Sequence, residues 1–275
     1  MDIKISPLEI KLFIQAIHEA HGYDFSEYSP ESFRRRLTSI IEKHNLQHVG
    51  ECIHRSIHDK DFFLTILGDL TITVTEMFRD PYMYSVLRQA IIPYLKTYPK
   101  IKIWHAGCAT GEEVYSFAIL LKESGLTNRT ITYATDINKQ ALCLAKKGYI
   151  KNNSLQQGVS NYFKSGGDVS LSHYISHDEF GSLIELENRN NIVFSEHNLV
   201  NDYSFGEMQI IFCRNVLIYF IKSLQNKVLE LLTESLCPGG FLCLGSKESI
   251  SFSAVSDKYE TIDAKAKIYR KHIKE

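Results

Sequence analysis

Three groups of residues have types and spacings that suit a small-molecule site. The first is Ala106-Gly107-Cys108-Ala109-Thr110-Gly111-Glu112-Glu113, a glycine-containing turn that opens a helical stretch. Such a turn lets a ligand approach the backbone, and it resembles the dinucleotide fingerprint with Ala109 in place of the second glycine. The second is Asp136, 29 residues beyond Gly107. A carboxylate offers two oxygens to the vicinal hydroxyls of a ribose, so turn and acid together point to a nucleoside cofactor. The third is Arg214-Asn215, set inside the apolar run 210–221. A buried guanidinium is costly unless paired, which favours a site over packing. Tyr219, four residues after Asn215, can lie over the same place. Each group has a structural alternative. Thr110 and Glu113 have capping-box spacing, Asp136 can cap the next helix, and Tyr219 can be a core tyrosine.

The surrounding pattern predicts the elements that position these groups. Residues 1–70 read as helices, with apolar faces at Leu8, Leu12, Ile14, Ile17 and at Phe33, Leu37, Ile40, Ile41. Ser29-Pro30-Glu31 is a helix start with serine as the cap. Residues 71–99 read as a linker and connecting helix. From about residue 100, strands at 101–105, 130–135, 192–194, 209–213 and 241–244 alternate with helices at 112–123, 138–147 and 223–236, and Pro238-Gly239-Gly240 is a turn. Alternation of this kind predicts an α/β fold with a mostly parallel sheet, whose ligands bind beyond the carboxyl ends of the strands. Residues 148–190, rich in Asn, Ser, Gly and His, break the rhythm. Two alternating runs near 172–175 and 182–187 predict a small antiparallel β insertion there.

Composition narrows the function classes. The chain has 275 residues, 44% apolar and 23% charged, with 31 Lys+Arg against 32 Asp+Glu. That is an ordinary globular composition, and the formal net charge of −1 argues against nucleic-acid binding by bulk charge. The longest apolar stretch is too short and too polar at Arg214 to insert in a membrane, and the N-terminus lacks signal-peptide character. Six cysteines without a Cys-x-x-Cys pair fit a reducing, cytoplasmic setting. His44/His48 and His54/His58 have i, i+4 spacing but no third ligand at fixed spacing, so no metal site is expected. The pattern Leu236-x-Pro238-Gly239-Gly240-Phe241-Leu242 leans the cofactor toward S-adenosylmethionine rather than a nicotinamide.

Four motifs then occur in order: Thr75-Glu76-Met77-Phe78-Arg79, Gly107-Cys108-Ala109-Thr110-Gly111-Glu112-Glu113, Ala134-Thr135-Asp136-Ile137 and Phe212-Cys213-Arg214-Asn215-Val216-Leu217-Ile218-Tyr219-Phe220. Together they resemble the CheR family, the chemotaxis receptor glutamate O-methyltransferases, over nearly the whole chain. The resemblance implies a Rossmann-like, class I S-adenosylmethionine-dependent methyltransferase sheet over 100–275, preceded by an all-helical receptor-docking domain. It implies a cofactor pocket of Thr73, Thr75, Arg79, Gly107, Glu113, Asp136, Asn198, Leu199, Arg214 and Asn215. Within it, Glu113 would meet the methionyl amino group or its surroundings, Asp136 the ribose, and Asn198 and Leu199 the adenine. Arg79 and Tyr219 are the implied catalytic residues. Thr73 departs from the asparagine of enteric members, which weakens that contact.

The implied chemistry fits a site without a Ser/His/Asp or paired-carboxylate arrangement. A sulfonium methyl is already electrophilic and a glutamate side chain is already ionised at neutral pH, so alignment replaces base catalysis. The product is S-adenosylhomocysteine. Arg35, Arg36 and Lys43, on the helix after Pro30, are the expected docking residues for a chemoreceptor's cytoplasmic helices. A solvated charged face is their structural alternative. The insertion is the place where some members hold a receptor C-terminal tether. Its stretch from Lys164 through Phe180 is longer than in those members, which leans toward tether independence. The rival readings are a methyltransferase for another protein or a small molecule, and a non-catalytic cofactor sensor.

Overall fold

The first helix, α1 (Pro7–His21), is set by its ends. Ser6 accepts from the Glu9 N–H, the Glu9 carboxylate answers to the Ser6 backbone, and Gly22 closes the helix at φ 76°. This computed structural model describes residues 5–71, 75–179, 181–185 and 189–273. It divides into two compact units, Met1–Thr73 with Tyr219–Gln225, and Val74–Ile218 with Asn226–Glu275.

The first unit continues with α2 (Pro30–Lys43), α3 (Val49–His58) and α4 (Lys60–Leu70). Its core holds Phe13, Ile17, Phe33, Leu37, Ile40, Ile41, Cys52, Phe63 and Ile66. On α1 the expected face is only partly right. Leu8 and Leu12 are 65% and 48% exposed, and Ile10, Phe13 and Ile17 are the residues buried. Ser29 precedes α2 but makes no side-chain cap. Its N–H instead donates to the Tyr219 carbonyl at 2.8 Å. The segment Tyr219–Gln225 packs with this unit, although the sequence places it within the domain 100–275.

The second unit opens with α5 (Pro81–Val86), a π-helical turn at Leu87–Ile91 and α6 (Ile92–Leu95). Then come β1 (Ile101–Ala106), α7 (Glu112–Glu123), β2 (Thr130–Asp136) and α8 (Lys139–Lys147). After the insertion follow β6 (Ile192–Glu196), β7 (Met208–Cys213), α10 (Lys222–Glu234), β8 (Leu236–Leu244), β9 (Tyr259–Asp263) and β10 (Ile268–Lys271). The sheet order is β6-β2-β1-β7-β8-β10-β9. β10 runs antiparallel to both its neighbours, and the other pairings are parallel. Strands β1, β2 and β7 therefore bring their carboxyl ends, and the motifs that follow them, to one edge. Pro238-Gly239-Gly240 proves not to be a free turn. It lies within β8, where Leu236 pairs with Met208 and Phe241 with Ile210, so β8 bulges between them around Gly239 at φ 75°.

The insertion holds β3 (Tyr149–Ile150), α9 (Asn152–Lys164), β4 (Ile175–Asp178) and β5 (Gly181–Ile184), with an antiparallel sheet ordered β3-β5-β4. The antiparallel sheet is as expected. The helix α9 is not, and Ser172 lies in a 3₁₀ turn rather than a strand. Polar composition hid α9, which is held by tertiary contacts. Tyr162 is fully buried, and a Cβ on Gly158 would stand 2.5 Å from the Met77 Cβ. Phe180 and residues 186–188 lie outside the described residues.

Candidate functional site

Arg214 follows directly on β7 and its side chain is 2% exposed. Its Nη1 donates to Glu113 Oε2 at 2.8 Å. Nη2 donates to Asp80 Oδ2 at 2.5 Å and to the Arg79 carbonyl at 3.3 Å. The expectation that a buried guanidinium in an apolar run must be paired is met by residues 101 and 134 positions away in sequence. Burial alone would lower the Arg214 pKa, but the carboxylates of Glu113 and Asp80 and the Tyr84 phenol hold it above its usual value. Glu113, at the start of α7, also accepts through Oε1 from His105 Nδ1 at 2.9 Å. Burial would raise the Glu113 pKa, but the His105 hydrogen bond and the Arg214 charge outweigh it and leave the carboxyl below its ordinary value.

The capping-box alternative for Thr110 and Glu113 therefore does not form. Thr110 Oγ1 bonds Glu112 Oε2 at 2.6 Å, and Gly111 occupies the cap position at φ 93°. At Gly107 the close approach comes from within the protein, because a Cβ there would stand 2.5 Å from Val216 Cγ2. Its φ of 79° is left-handed as well. The glycine turn is thus the floor on which the loop after β7 rests.

Asp136 ends β2 and is 9% exposed. Its Oδ2 accepts from the Ala109 N–H and its Oδ1 from the Asn138 N–H, both at 2.8 Å. Asn138, rather than Asp136, caps α8. Burial raises the Asp136 pKa against the pull of these backbone bonds. Asn198 and Leu199 follow β6. The Asn198 side chain accepts from the Val200 N–H at 2.9 Å, and Leu199 is buried. Thr75 lies on the irregular chain before α5, and Thr73 lies outside the described residues.

Sequence reasoning missed three residues that shape this site. Asp80 and His105 have just been placed. The third is Glu248, 5% exposed. Its Oε1 accepts from the N–H groups of Val216, Leu217 and Ile218 at 2.8, 2.7 and 3.4 Å. Its Oε2 accepts from Asn215 and Gly245 at 2.9 and 2.6 Å. One carboxylate thus gathers the backbone of the whole loop after Arg214. The only local signal is an acid just beyond a buried strand.

One expectation on the helical unit needs correction. Arg36 is no surface docking residue. It is 6% exposed, its Nη1 donates to the Leu70 carbonyl, and its guanidinium lies 4.0 Å from the centre of the Tyr219 ring. Lys43 is exposed but ion-paired with Asp69 at 2.6 Å, and His44 Nε2 lies 3.1 Å from the same carboxylate. His48 caps α3 through Nδ1. Arg35 remains exposed on α2. Tyr219 shares the helical unit's packing through Arg36 and Ser29.

The donor and acceptor set fits S-adenosylmethionine. An ionised carboxylate has about four lone-pair positions. Asp136 accepts from the backbone N–H groups of Ala109, Ile137 and Asn138, and Glu113 from His105 and Arg214. Each is held rigid and keeps acceptor capacity for a diol or an ammonium. Among the described residues, no helix is long and apolar enough to cross a membrane.

Comparison with known proteins places the chain. Residues 8–71 match the model of the CheR methyltransferase all-alpha domain, and residues 73–268 that of the CheR methyltransferase SAM-binding domain. A putative methyltransferase, Cher3 of Pseudomonas putida, is 45% identical over 264 residues, covering 96% of this chain and 97% of that one. Chemotaxis protein methyltransferase 1 of Vibrio cholerae is 30% identical, covering 94% and 95%. Chemotaxis protein methyltransferase Cher2 of Pseudomonas putida is 26% identical, covering 93% and 94%. With both domain models matched in order along almost all of its length, a parallel sheet and a glycine turn at its carboxyl edge, the chain belongs to the CheR family of S-adenosylmethionine-dependent methyltransferases.

Proposed function

We propose that this protein transfers a methyl group from S-adenosylmethionine to glutamate side chains of chemoreceptor cytoplasmic helices, in the cytoplasm. The observation that carries the reading is how fully the site's ionisable groups are committed. Glu113 and Asp80 neutralise Arg214, and Asp136 and Glu248 hold backbone N–H groups. Such groups position and do not shuttle protons. That suits a nucleophile that arrives already ionised, as a glutamate does at neutral pH.

When bound, S-adenosylmethionine supplies a methyl group on an electron-poor sulfur. The chain's own residues would do the rest. Glu113 would face the amino group, Asp136 the ribose hydroxyls, and Asn198 and Leu199 the adenine. Gly107 and Asn215 would line the pocket, with Arg214 fixing Glu113 from behind. Thr75 and Arg79 would meet the polar end, and Arg79 and Tyr219 would stand nearest the reacting groups. Alignment of the acceptor oxygen with the methyl carbon and sulfur, with water excluded, provides the acceleration. Arg35 and Lys43 keep exposed charges for docking, Lys43 within its ion pair with Asp69.

The test uses purified protein, labelled S-adenosylmethionine and a receptor cytoplasmic fragment. Base-labile label, released as methanol, is expected, because methyl esters hydrolyse readily. Arg35→Ala is expected to lower kcat/KM for the fragment and leave cofactor affinity unchanged. Base-stable label, or no transfer despite tight cofactor binding, would overturn the glutamate reading. A second reading is methylation of a different protein by the same site. A screen of acceptor proteins separates the two. Tether independence of the insertion is tested by titrating a receptor C-terminal peptide, with weak binding expected.

A further inference from the structure

His105 is the penultimate residue of β1. Its side chain is fully buried. The ring stacks on Phe212 at 4.6 Å with planes 5° apart, and meets Phe117 edge-on at 6.1 Å. Nδ1 lies 2.9 Å from Glu113 Oε1, while Nε2 is buried with no hydrogen-bond partner among the described residues. A carboxylate only accepts, so Nδ1 carries a proton and donates it to Glu113.

This is an unfavourable way to fill a slot between two phenylalanines. A third phenylalanine would pack there without an orphaned nitrogen. What histidine adds is one hydrogen bond, to the oxygen of Glu113 that Arg214 leaves free. Arg214 alone fixes one oxygen and lets the carboxylate turn about its Cγ–Cδ bond. A second donor on the other oxygen fixes its plane.

We propose that His105 is a positioning residue for cofactor binding, locking the Glu113 carboxylate from the strand side so that its remaining acceptor positions face the cofactor's amino group. The proposal rests on the reading of Glu113 as the contact for that amino group.

Two substitutions separate positioning from packing. His105→Phe keeps the aromatic stack and removes the donor. His105→Asn loses the stack but carries an N–H at the same number of bonds from Cα as Nδ1. S-adenosylhomocysteine affinity by calorimetry, steady-state KM and kcat, and the melting temperature are measured for both variants, with Glu113→Gln alongside.

Positioning predicts opposite orders in the two properties. Affinity falls about tenfold in His105→Phe and stays within about threefold of wild type in His105→Asn, as expected for one charge-assisted hydrogen bond. The melting temperature falls in His105→Asn and holds in His105→Phe. KM for S-adenosylmethionine rises in His105→Phe, with kcat within about twofold of wild type.

If affinity instead follows the melting temperature, His105 is a packing residue and the proposal fails. If Glu113→Gln weakens binding and His105→Phe does not, the proposal fails and the reading of Glu113 stands. If neither weakens binding, both fall.

Discussion

Removing the Glu248 carboxylate should loosen the loop after β7 and with it the cofactor pocket. The size of the effect follows from the five N–H groups it gathers. In Glu248→Gln, one oxygen becomes an NH₂ group. Facing one way, it opposes the N–H groups of Asn215 and Gly245; facing the other, those of Val216, Leu217 and Ile218. At least two bonds are lost either way, each worth about 1.5–3 kcal/mol to a charged acceptor. The surviving bonds drop to neutral strength. Relaxation returns part of the loss, leaving about 3 kcal/mol. At about 2–4 °C per kcal/mol for a unit of this size, the melting temperature falls by roughly 6–12 °C. Glu248→Ala is expected to cost no more than Gln, because water can enter the emptied space and satisfy the freed N–H groups. Thermal unfolding with and without S-adenosylhomocysteine reads both effects, and the ligand-induced shift should shrink in both variants. A Glu248→Gln protein that melts within about 2 °C of wild type and binds as tightly would refute the reasoning.

Gly107→Ala meets Val216 Cγ2 at 2.5 Å and a left-handed φ of 79°, so it should lose stability and cofactor affinity together. Adding Val216→Ala removes the clash but not the backbone strain, which is worth about 1–2 kcal/mol for a non-glycine residue. Partial recovery of the melting temperature is expected, and full recovery or none would show that one of the two causes is absent. Glu113 supplies the pH dependence. Its folded pKa lies below the ordinary 4.5, so it contributes stability that is present above that value and is lost as pH falls through the folded pKa. The difference in melting temperature between wild type and Glu113→Gln should therefore hold from pH 7 to about pH 5 and narrow below it. A difference that stays flat to pH 3.5, where the fold survives, would count against the ion pair.

Arg214 was legible because a charge inside an apolar run needs an explanation. What it pairs with was not, since a sequence window holds no trace of contacts across more than a hundred residues. His105 and Glu248 stood in plain view, but the first lies within β1 and the second just beyond β8, strands whose apolar content already accounts for their fold. Arg36 misled for a related reason. Periodicity puts its Cα at the edge of an apolar arc, and only packing decides whether a long stem turns in or out. On α1 two arcs compete, one through Leu8 and Leu12 and one through Ile10, Phe13 and Ile17, and the neighbouring helices choose the second.

The backbone records the same division between local and tertiary control. Asp80, Ala109 and Asn215 hold left-handed φ values of 58°, 49° and 60°. Alanine has no intrinsic reason to do so, and even Asn and Asp do so only in a minority of cases. Each is tied to a buried ionisable side chain from elsewhere in the chain: Asp80 to Arg214, Ala109 to Asp136 and Asn215 to Glu248. Strain of this kind persists only where the surroundings over-determine it. Here the surroundings are the three ionisable groups at the carboxyl edge of the sheet. Neutralising any one of them should release its partner to a relaxed conformation and disturb the pocket beyond the loss of a single contact.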